Sequence, residues 1–280
     1  MLYLRDDFKE KWKGKDPFEE IEKIDGEVFR SVKARKTFRF DMDGKSYFCK
    51  IHRGIGWYEI LKDLSQFKMP ILGAKNEWEA LNRLKELGID TMTPVAYAVK
   101  GINPAKQYSF IVTEDLINTE SLEDYCMGWD ENPPSYKLKE AFIKRLAWVS
   151  KTLHENGINH RDYYICHFLL DISNGKDNID LDNFTASLID LHRAQIRSKI
   201  PMRWVIKDLA GLYFSAMDLG LNKNDIYKFM KIYSGTSLKE CLKNINFWKQ
   251  IEKRAIKLYI KDMGKEPIKI FKMRKPQAML

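Results

Sequence analysis

The chain has 280 residues, of which 44% are hydrophobic and 31% are charged. These proportions are those of an ordinary globular protein, so they exclude an intrinsically disordered chain and a membrane-embedded one. The 48 Lys and Arg residues outnumber the 39 Asp and Glu residues and leave a formal net charge of +9. Such an excess indicates an anionic partner without identifying it.

The positive charge is concentrated in two segments. Val28–Gly54 contains 8 basic and 2 acidic residues, and Ile251–Leu280 contains 9 basic and 3 acidic residues, so each segment carries a net +6 and the remainder a net −3. Two solvated faces would explain this pattern. Surfaces for phosphates, for nucleic acid or for an anionic membrane would explain it equally well.

The cysteines and the N-terminus indicate a cytoplasmic protein. The four cysteines are far apart, and neither a Cys-x-x-Cys pair nor a zinc-ligand spacing occurs. The first residues lack the apolar core of a signal peptide, and no apolar run approaches the ~20 residues needed to cross a bilayer. We therefore expect reduced thiols and a cytoplasmic location.

The first regular elements predicted along the chain are strands. Gly26–Arg53 is rich in β-branched and aromatic residues, which favour strands. Within it, Asp43-Gly44 has the composition of a tight hairpin turn. The segment therefore predicts a strand meander.

One helix and two further strands follow. Asn76–Leu87 has its apolar residues at helical spacing and stops at Gly88, a common helix terminator. Pro94–Ala98 and Tyr108–Thr113 have the composition of strands. Up to residue 113 the chain is thus predicted to be mostly β with one helix.

Beyond Asn132–Pro134 the pattern becomes helical. Apolar residues recur at helical spacing, with glycines between the segments. A short helix is already predicted at Ser121–Tyr125, before this point. The helices predicted beyond it are Tyr136–Glu155, Asp208–Met217, Lys223–Tyr233, Leu238–Cys241 and Trp248–Met263. The expected architecture is α+β, a single 1–280 domain with a small β-rich lobe (1–113), a linker (114–119) and a larger helical lobe (120–280).

The last predicted helix carries part of the C-terminal charge. Its helical periodicity places Lys253, Arg254, Lys257 and Lys261 largely away from the apolar side. A helix that packs against the rest of the protein and exposes its basic side to water would explain this arrangement. Attraction to anionic lipid would also explain it, provided that the cations share one face.

Two aspartates carry the most informative chemistry. Asp162 lies in the segment HRDYYICHFLL just beyond a predicted helix end, and Asp190 lies in the later segment IDLH. Phosphoryl transfer needs one carboxylate to orient and deprotonate the attacking hydroxyl and another to hold Mg²⁺ against the phosphate oxygens. The pair therefore favours an acid/base and metal site.

The triplet His160-Arg161-Asp162 resembles the catalytic loop of protein-kinase-like enzymes. The resemblance implies that Asp162 is the catalytic base and that Asp190 occupies the place of the metal-binding aspartate. Five residues after the catalytic aspartate, protein kinases have an asparagine where this chain has His167. The resemblance therefore makes His167 a second candidate metal ligand.

The nucleotide side follows from the same resemblance. Lys50 ends the strand SYFCK and matches the lysine that holds the donor phosphates, while Glu77 matches its carboxylate partner. We prefer Glu77 to Glu79 because the residues at +3, +4 and +7 from Glu77 are all apolar, which directs its side of the helix inward. The carbonyl of Glu114 and the amide of Leu116 would bind the adenine edge.

Three features depart from the protein-kinase pattern. No Gly-rich loop precedes Lys50, and the first hairpin instead carries basic residues, namely Lys33, Arg35, Lys36 and Arg39. The second departure is the histidine at position 167, because Mg²⁺ favours oxygen ligands over a nitrogen ligand. Finally, Asp208, which resembles the aspartate that anchors the catalytic loop, follows Asp190 by only 18 residues. So short a segment favours a small-molecule or glycan acceptor over a peptide.

A closer resemblance extends over essentially the whole chain. The segments that carry it are GKSYFCK, NEWEAL, FIVTEDL, SLEDYC, GINHRDYYICHFLL, IDLHRAQIR and KDLAGLYFSAMDLGL. Together they are similar to the lipopolysaccharide core heptose (I) kinase family, whose own pattern includes the histidine at position 167. The resemblance implies a protein-kinase-like bilobal fold and an enzyme that uses ATP and Mg²⁺ to phosphorylate the first heptose of the inner core, at position 4.

The resemblance also implies the surroundings of the enzyme. Its acceptor would be the lipid A-core glycolipid at the cytoplasmic face of the inner membrane, and the reaction would serve outer membrane biogenesis. We therefore expect a cytoplasmic protein with a peripheral contact to the anionic membrane surface, and no nucleic-acid partner.

Other functions remain open at this point. The enzyme could phosphorylate another core sugar, such as Kdo or the second heptose, or a small molecule. The chain could also be a non-catalytic binding module for anionic membrane or nucleic acid, although Lys50, Asp162 and Asp190 argue against it. A transition-metal site is disfavoured by spacing; its candidate ligands would be His154, His160, Cys166, His167 and His192.

Overall fold

The structure is a computed structural model that describes residues 1–32, 34–66 and 70–267. These residues form two compact units. The first unit comprises residues 1–86, 91–117 and 191–193, and the second comprises residues 87–90, 118–190 and the described residues from 194 onward. The predicted boundaries of the lobes and the linker stay a prediction.

The first unit contains a six-stranded antiparallel sheet with the strand order β1-β5-β6-β4-β3-β2. Its strands are β1 (Leu2–Leu4), β2 (Glu27–Val32), β3 (Arg35–Met42), β4 (Lys45–His52), β5 (Pro94–Lys100) and β6 (Tyr108–Glu114). The predicted meander over Gly26–Arg53 is therefore confirmed. Asp43 and Gly44 form its turn with φ angles of 53° and 75°, the left-handed pair that a two-residue hairpin requires.

The two faces of this sheet differ in character. One face is a fully buried apolar core that includes Phe38, Cys49 and Ile51. Because side chains alternate along a strand, Thr37 and Lys50 lie on the opposite face, directly across from each other in the β3–β4 register. The sheet thus separates a packing face from a polar face.

The expectation of a single helix before residue 113 is wrong, since the described part of that segment contains four. They are α1 (Asp6–Lys11), α2 (Pro17–Lys23), α3 (Gly56–Ser65) and α4 (Lys75–Glu86). The first two are too short for a clear period, and each buries one apolar residue, Phe8 or Ile21. In α3 only Ile60 is buried, while Trp57 and Leu61 are exposed.

The second unit is mainly helical, as expected. Its helices are α5 (Leu122–Tyr125), α6 (Tyr136–Glu155), α7 (Met202–Ser215), α8 (Lys223–Ser234), α9 (Leu238–Lys243) and α10 (Ile245–Met263). The bounds of α6 agree with the prediction, and Ser135 caps its first turn by accepting the backbone N–H of Leu138. Helix α7 begins six residues before the predicted Asp208, directly after Pro201.

Two small sheets position the loops of the second unit. One has the strand order β10-β9-β7 and the other pairs β11 with β8. Their strands are β7 (Thr119–Ser121), β8 (Ile158–Asn159), β9 (Phe168–Asp171), β10 (Ala186–Leu188) and β11 (Gln195–Ile196). No helix in the described ranges combines the length and the apolar character needed to cross a bilayer.

Candidate active site

The loop that follows β8 carries Asp162 and is held by a buried carboxylate. Asp208 of α7 is 1% exposed, and its two oxygens accept the backbone N–H groups of His160 at 2.7 Å and Arg161 at 2.8 Å. Arg161 has a φ of 77°, a left-handed conformation that is uncommon for a residue with a side chain. Asp208 therefore stabilises a strained backbone immediately before Asp162.

Lys207 holds the other side of the same peptide. Its ammonium group donates a hydrogen bond to the carbonyl of Arg161 and lies 3.8 Å from a carboxylate oxygen of Asp162. The Asp162 side chain is 16% exposed, so it is largely enclosed but reachable. Sequence reasoning missed Lys207, although it directly precedes the recognised Asp208.

Asp190 is brought beside the same loop by the β9–β10 hairpin. Phe168 pairs with Leu188, and the backbone N–H of Ile189 donates to the carbonyl of His167 at 2.9 Å. Asp190 follows with a φ of 61°, a second left-handed residue. Its carboxylate lies 3.8 Å from His167 Nε2.

His167 links the two aspartates. Its Nδ1 donates to the backbone carbonyl of Asp162 at 2.7 Å, because a carbonyl can only accept. In the neutral ring this leaves the lone pair on Nε2, the nitrogen that is closer to Asp190. The structure thus brings Asp162, His167 and Asp190 together, as the resemblance implies.

His160 supports the loop from the inside. It is 1% exposed, and its Nε2 donates to the carbonyl of Ile189 at 2.9 Å. Burial lowers the pKa of His160, so the ring is neutral. The ring therefore connects the Asp162 loop with the segment that carries Asp190.

The donor groups around Asp190 can be tested against Mg²⁺. The Asp190 side chain is 32% exposed and offers carboxylate oxygens, the ligands that Mg²⁺ favours. His167 adds one nitrogen. Within the described ranges, no group of three or more His, Cys, Asp or Glu side chains could hold a metal ion. The residues fit a Mg²⁺ ion that takes its remaining ligands from phosphate and water, which is its usual mode at phosphate sites.

In the first unit, Lys50 and Glu77 form a largely enclosed ion pair. Lys50 Nζ lies 2.5 Å from Glu77 Oε1, and the two side chains are 15% and 1% exposed. Glu79 instead makes an exposed pair with Lys75 at 3.6 Å. The structure therefore brings together the two residues that sequence reasoning paired, while their role in holding a nucleotide stays a prediction.

The polar face around Lys50 contains buried groups with unmet hydrogen-bonding capacity. Arg35, Thr37 and His52 lie on the Lys50 side of β3 and β4 by register. Arg35 Nε, Thr37 Oγ1 and His52 Nε2 are buried and have no hydrogen-bond partner among the residues that the structure describes. Burial, together with the positive charges of Arg35 and Lys50, lowers the pKa of His52 to about 3. Such a set fits a polyanionic ligand with many acceptor oxygens.

The other predicted hairpin cations differ in position. Lys36 lies on the packing face, with its ammonium 4.4 Å from the centroid of the Phe38 ring. Arg39 donates to Ser46 and pairs with Asp115 at 2.9 Å. Lys33 lies outside the described residues. Arg35 therefore differs from Lys36 and Arg39: it lies on the Lys50 face, and it has no acidic partner among the described residues.

The predicted adenine-binding residues lie where β6 ends. The backbone N–H of Glu114 donates to the carbonyl of Thr93 at 2.9 Å, and its carboxylate accepts from Arg5 at 2.5 Å. Leu116 is partly buried two residues further on. Their contacts with adenine stay a prediction.

The family of the chain follows from a comparison with known proteins. The model of the lipopolysaccharide kinase (Kdo/WaaP) family matches residues 19–233. The chain belongs to this family. It is 50% identical over 260 residues to a protein of Escherichia coli named lipopolysaccharide core heptose(I) kinase WaaP, covering 92% of this chain and 97% of that one. A protein of the same name from Pseudomonas aeruginosa is 48% identical over 261 residues, covering 92% and 96%.

A solved structure also supports the membership of this chain in the Kdo/WaaP family. The structure described as WaaP in complex with acyl carrier protein matches with a TM-score of 0.80 and 43% identity, over 92% of this chain and 99% of that one. The prediction of a protein-kinase-like α+β fold is therefore confirmed. The enzyme class, a kinase, is confirmed as well.

Proposed function

We propose that the protein is an ATP-dependent kinase that phosphorylates a heptose hydroxyl of the lipopolysaccharide inner core, the first heptose at position 4. The observation that carries this proposal is the identity of about half of all residues to proteins named as heptose(I) kinases. The loop geometry supports it, because Asp162 is held from both sides by groups of α7.

Asp162 orients the acceptor hydroxyl and accepts its proton. Its carboxylate is enclosed yet reachable, and the loop that bears it is fixed by Asp208 and Lys207. Such fixation holds a reacting group at the distance and angle that the reaction needs, which lowers the entropic part of the barrier. The ammonium group of Lys207, 3.8 Å from the carboxylate, lies beside the side chain of Asp162 as well as against its loop.

Asp190 and His167 would hold Mg²⁺. Bound there, Mg²⁺ would neutralise the negative charge of the transferred phosphoryl group. Asp190 supplies an oxygen ligand and His167 keeps its Nε2 directed toward that carboxylate. The strained φ of Asp190 keeps the carboxylate in this position rather than in a relaxed extended one.

Lys50 and Glu77 position the nucleotide. Glu77 holds the ammonium of Lys50 in a nearly dry environment, where its charge attracts phosphate more strongly than at an exposed site. The unmet donors of Arg35 and Thr37 on the same face take the role that a Gly-rich loop has in protein kinases. The carbonyl of Glu114 and the amide of Leu116 bind adenine.

The experiment that tests the proposal is a transfer assay with purified core glycolipid that lacks heptose phosphate. With Mg-ATP, the protein should incorporate phosphate into the first heptose, and Asp162→Asn should lower the rate by about 10²-fold or more because the proton acceptor is lost. A panel with Kdo, second-heptose and small-molecule acceptors distinguishes the alternative substrates. Undiminished transfer by Asp162→Asn would contradict the mechanism.

Contact with an anionic membrane is proposed for the basic face of α10. Lys253, Arg254, Lys257 and Lys261 are all exposed, and their spacing places them within one side of the helix. Met263, the last residue of the same helix, is 49% exposed as well. We place the protein in the cytoplasm at the inner membrane, where such cations are each worth ~1 kcal/mol near anionic headgroups.

Vesicle sedimentation tests this contact. A variant with the four α10 cations changed to Gln should lose affinity for vesicles with 30% phosphatidylglycerol, a composition we choose, while its affinity for ATP stays the same. Equal sedimentation of both proteins would refute the contact. Acyl carrier protein is a further proposed partner, because the structural relative was solved with it; co-purification of the two tests this partner.

A further inference from the structure

A group of three cations surrounds one indole ring of the second unit. The guanidinium carbons of Arg161 and Arg203 lie 5.0 Å and 5.4 Å from the centroid of the Trp204 ring, and Lys207 Nζ lies 5.8 Å from it. These distances are within the range of cation–π attraction. Three such contacts on one ring concentrate positive charge in a small volume.

This cluster adjoins the candidate catalytic aspartate. Arg161 directly precedes Asp162 in the chain, and Lys207 lies 3.8 Å from the Asp162 carboxylate. Arg161 is 7% exposed, whereas Arg203 is exposed at the start of α7. The cluster therefore extends from the buried side of Asp162 to the surface.

The cluster has capacity for a ligand. Trp204 Nε1 is buried and has no hydrogen-bond partner among the described residues, although buried indole N–H groups usually have one. Arg203 has no acidic partner in the part of the chain that the structure describes. The guanidinium of Arg203 and the indole N–H of Trp204 therefore offer hydrogen-bond donors to an anionic group.

We propose that Arg161, Arg203, Lys207 and the indole N–H of Trp204 form an anion subsite that binds a carboxylate or phosphate group of the acceptor. The inference rests on the proposed function, since it assigns the subsite to the glycolipid whose hydroxyl meets Asp162. An acidic group held here would orient the neighbouring sugar toward that carboxylate. Planar guanidinium groups suit such a role, because they bind carboxylate and phosphate through two parallel hydrogen bonds.

The test measures the effect of Arg203→Gln on each substrate separately. Arg203 is exposed, so the variant should fold normally, and KM for the acceptor should rise roughly fivefold while KM for ATP and kcat stay close to wild type. Arg203→Lys should retain part of the affinity because it keeps the charge. Lys223→Gln is the matched control, since Lys223 also lies over an aromatic ring, 5.3 Å from that of Tyr227, and should change neither KM.

Modified acceptors distinguish the two sources of the anion. If a carboxylate is bound, Arg203→Gln should lose its effect with an acceptor whose carboxylates are methyl esters. If a lipid phosphate is bound, the effect should vanish after removal of the lipid phosphates instead. An unchanged effect of the variant with both modified acceptors, or a rise in KM for ATP alone, would overturn the proposal.

A binding experiment separates failure of this inference from failure of the proposed function. In ¹⁵N-labelled protein, the indole resonance of Trp204 is identified by its loss in Trp204→Phe. Titration with inorganic phosphate should shift this resonance in the wild type and shift it several-fold less in Arg203→Gln. A shift without transfer to heptose would refute the proposed acceptor and keep the subsite, whereas an unmoved resonance would refute the subsite.

Discussion

Asp208 is the residue whose replacement tests most directly how the catalytic loop is held. In Asp208→Asn one carboxylate oxygen becomes an amide nitrogen, which cannot accept a hydrogen bond. The backbone N–H of either His160 or Arg161 then loses its acceptor in a site where Asp208 is 1% exposed. The change is small in volume, so its effect reports on hydrogen bonding rather than on packing.

The size of the effect follows from the two bonds. At 2.7 Å and 2.8 Å they have the length of charge-assisted hydrogen bonds, each worth about 1.5–3 kcal/mol. Loss of one bond, weakening of the other and burial of an unsatisfied N–H together should lower the free energy of unfolding by about 2–4 kcal/mol. Release of the strained Arg161 backbone should also displace Asp162, and a displacement of about 1 Å lowers kcat by about 10²-fold.

Two measurements check this prediction. Urea unfolding gives the change in stability, and steady-state transfer gives kcat and KM for ATP. We expect kcat to fall while KM for ATP stays within about twofold, because the proposed function assigns nucleotide binding to Lys50 and Glu77, whose ion pair the substitution leaves in place.

The matched control is Asp218→Asn. Asp218 is exposed and accepts the hydroxyl of Tyr259, which lies 2.9 Å and 3.0 Å from its two oxygens. This variant should lose at most about 1 kcal/mol and retain wild-type kcat. If Asp208→Asn behaved like the control in both measurements, the argument that Asp208 holds the catalytic loop would be wrong.

Three further predictions concern other parts of the site. Glu77→Gln removes the charge of a carboxylate that is 1% exposed and should destabilise the protein by about 1–3 kcal/mol, whereas Glu79→Gln should cost under about 0.5 kcal/mol in the same unfolding experiment. Below pH 6.5 the unfolded chain binds a proton that folded His52 excludes until about pH 3, so stability falls as the pH falls. His52→Phe should remove up to about 1.4 kcal/mol of this loss per pH unit, measured by unfolding at pH 7 and pH 5. A Cβ in Gly211→Ala would lie 2.8 Å from the carbonyl oxygen of Tyr163, so the variant should lose about 1–3 kcal/mol and part of its kcat.

Local sequence signals predicted much of the fold. The bounds of α6 and the Asp43-Gly44 turn were predictable because helix caps and hairpin turns depend on a few neighbouring residues. The preference for Glu77 also followed from local periodicity, since its helix buries Ala80, Leu81 and Leu84. In each case the physical cause lies within one element or its ends.

Other features depend on contacts that are distant in sequence. The bond from Lys207 to the carbonyl of Arg161 joins residues 46 positions apart, and no local pattern indicates it. Strands β8 and β11 have two residues each, too few to show alternation. Helix α3 differs from these elements, because its sequence carries a helical period that could have predicted it, although Trp57 and Leu61 on the helix are exposed.

The positive charge that first indicated an anionic partner has a more specific distribution than composition could show. In the N-terminal basic segment, Lys36 lies over Phe38 on the packing face and Arg39 is neutralised by Asp115. Net charge along the sequence therefore overstates the charge on the Lys50 face. The cations around Trp204 lie outside both basic segments of the sequence, because Arg161, Arg203 and Lys207 come from two separate parts of the chain. An electrostatic surface for an anionic acceptor can thus be built outside the two segments that first showed an excess of positive charge.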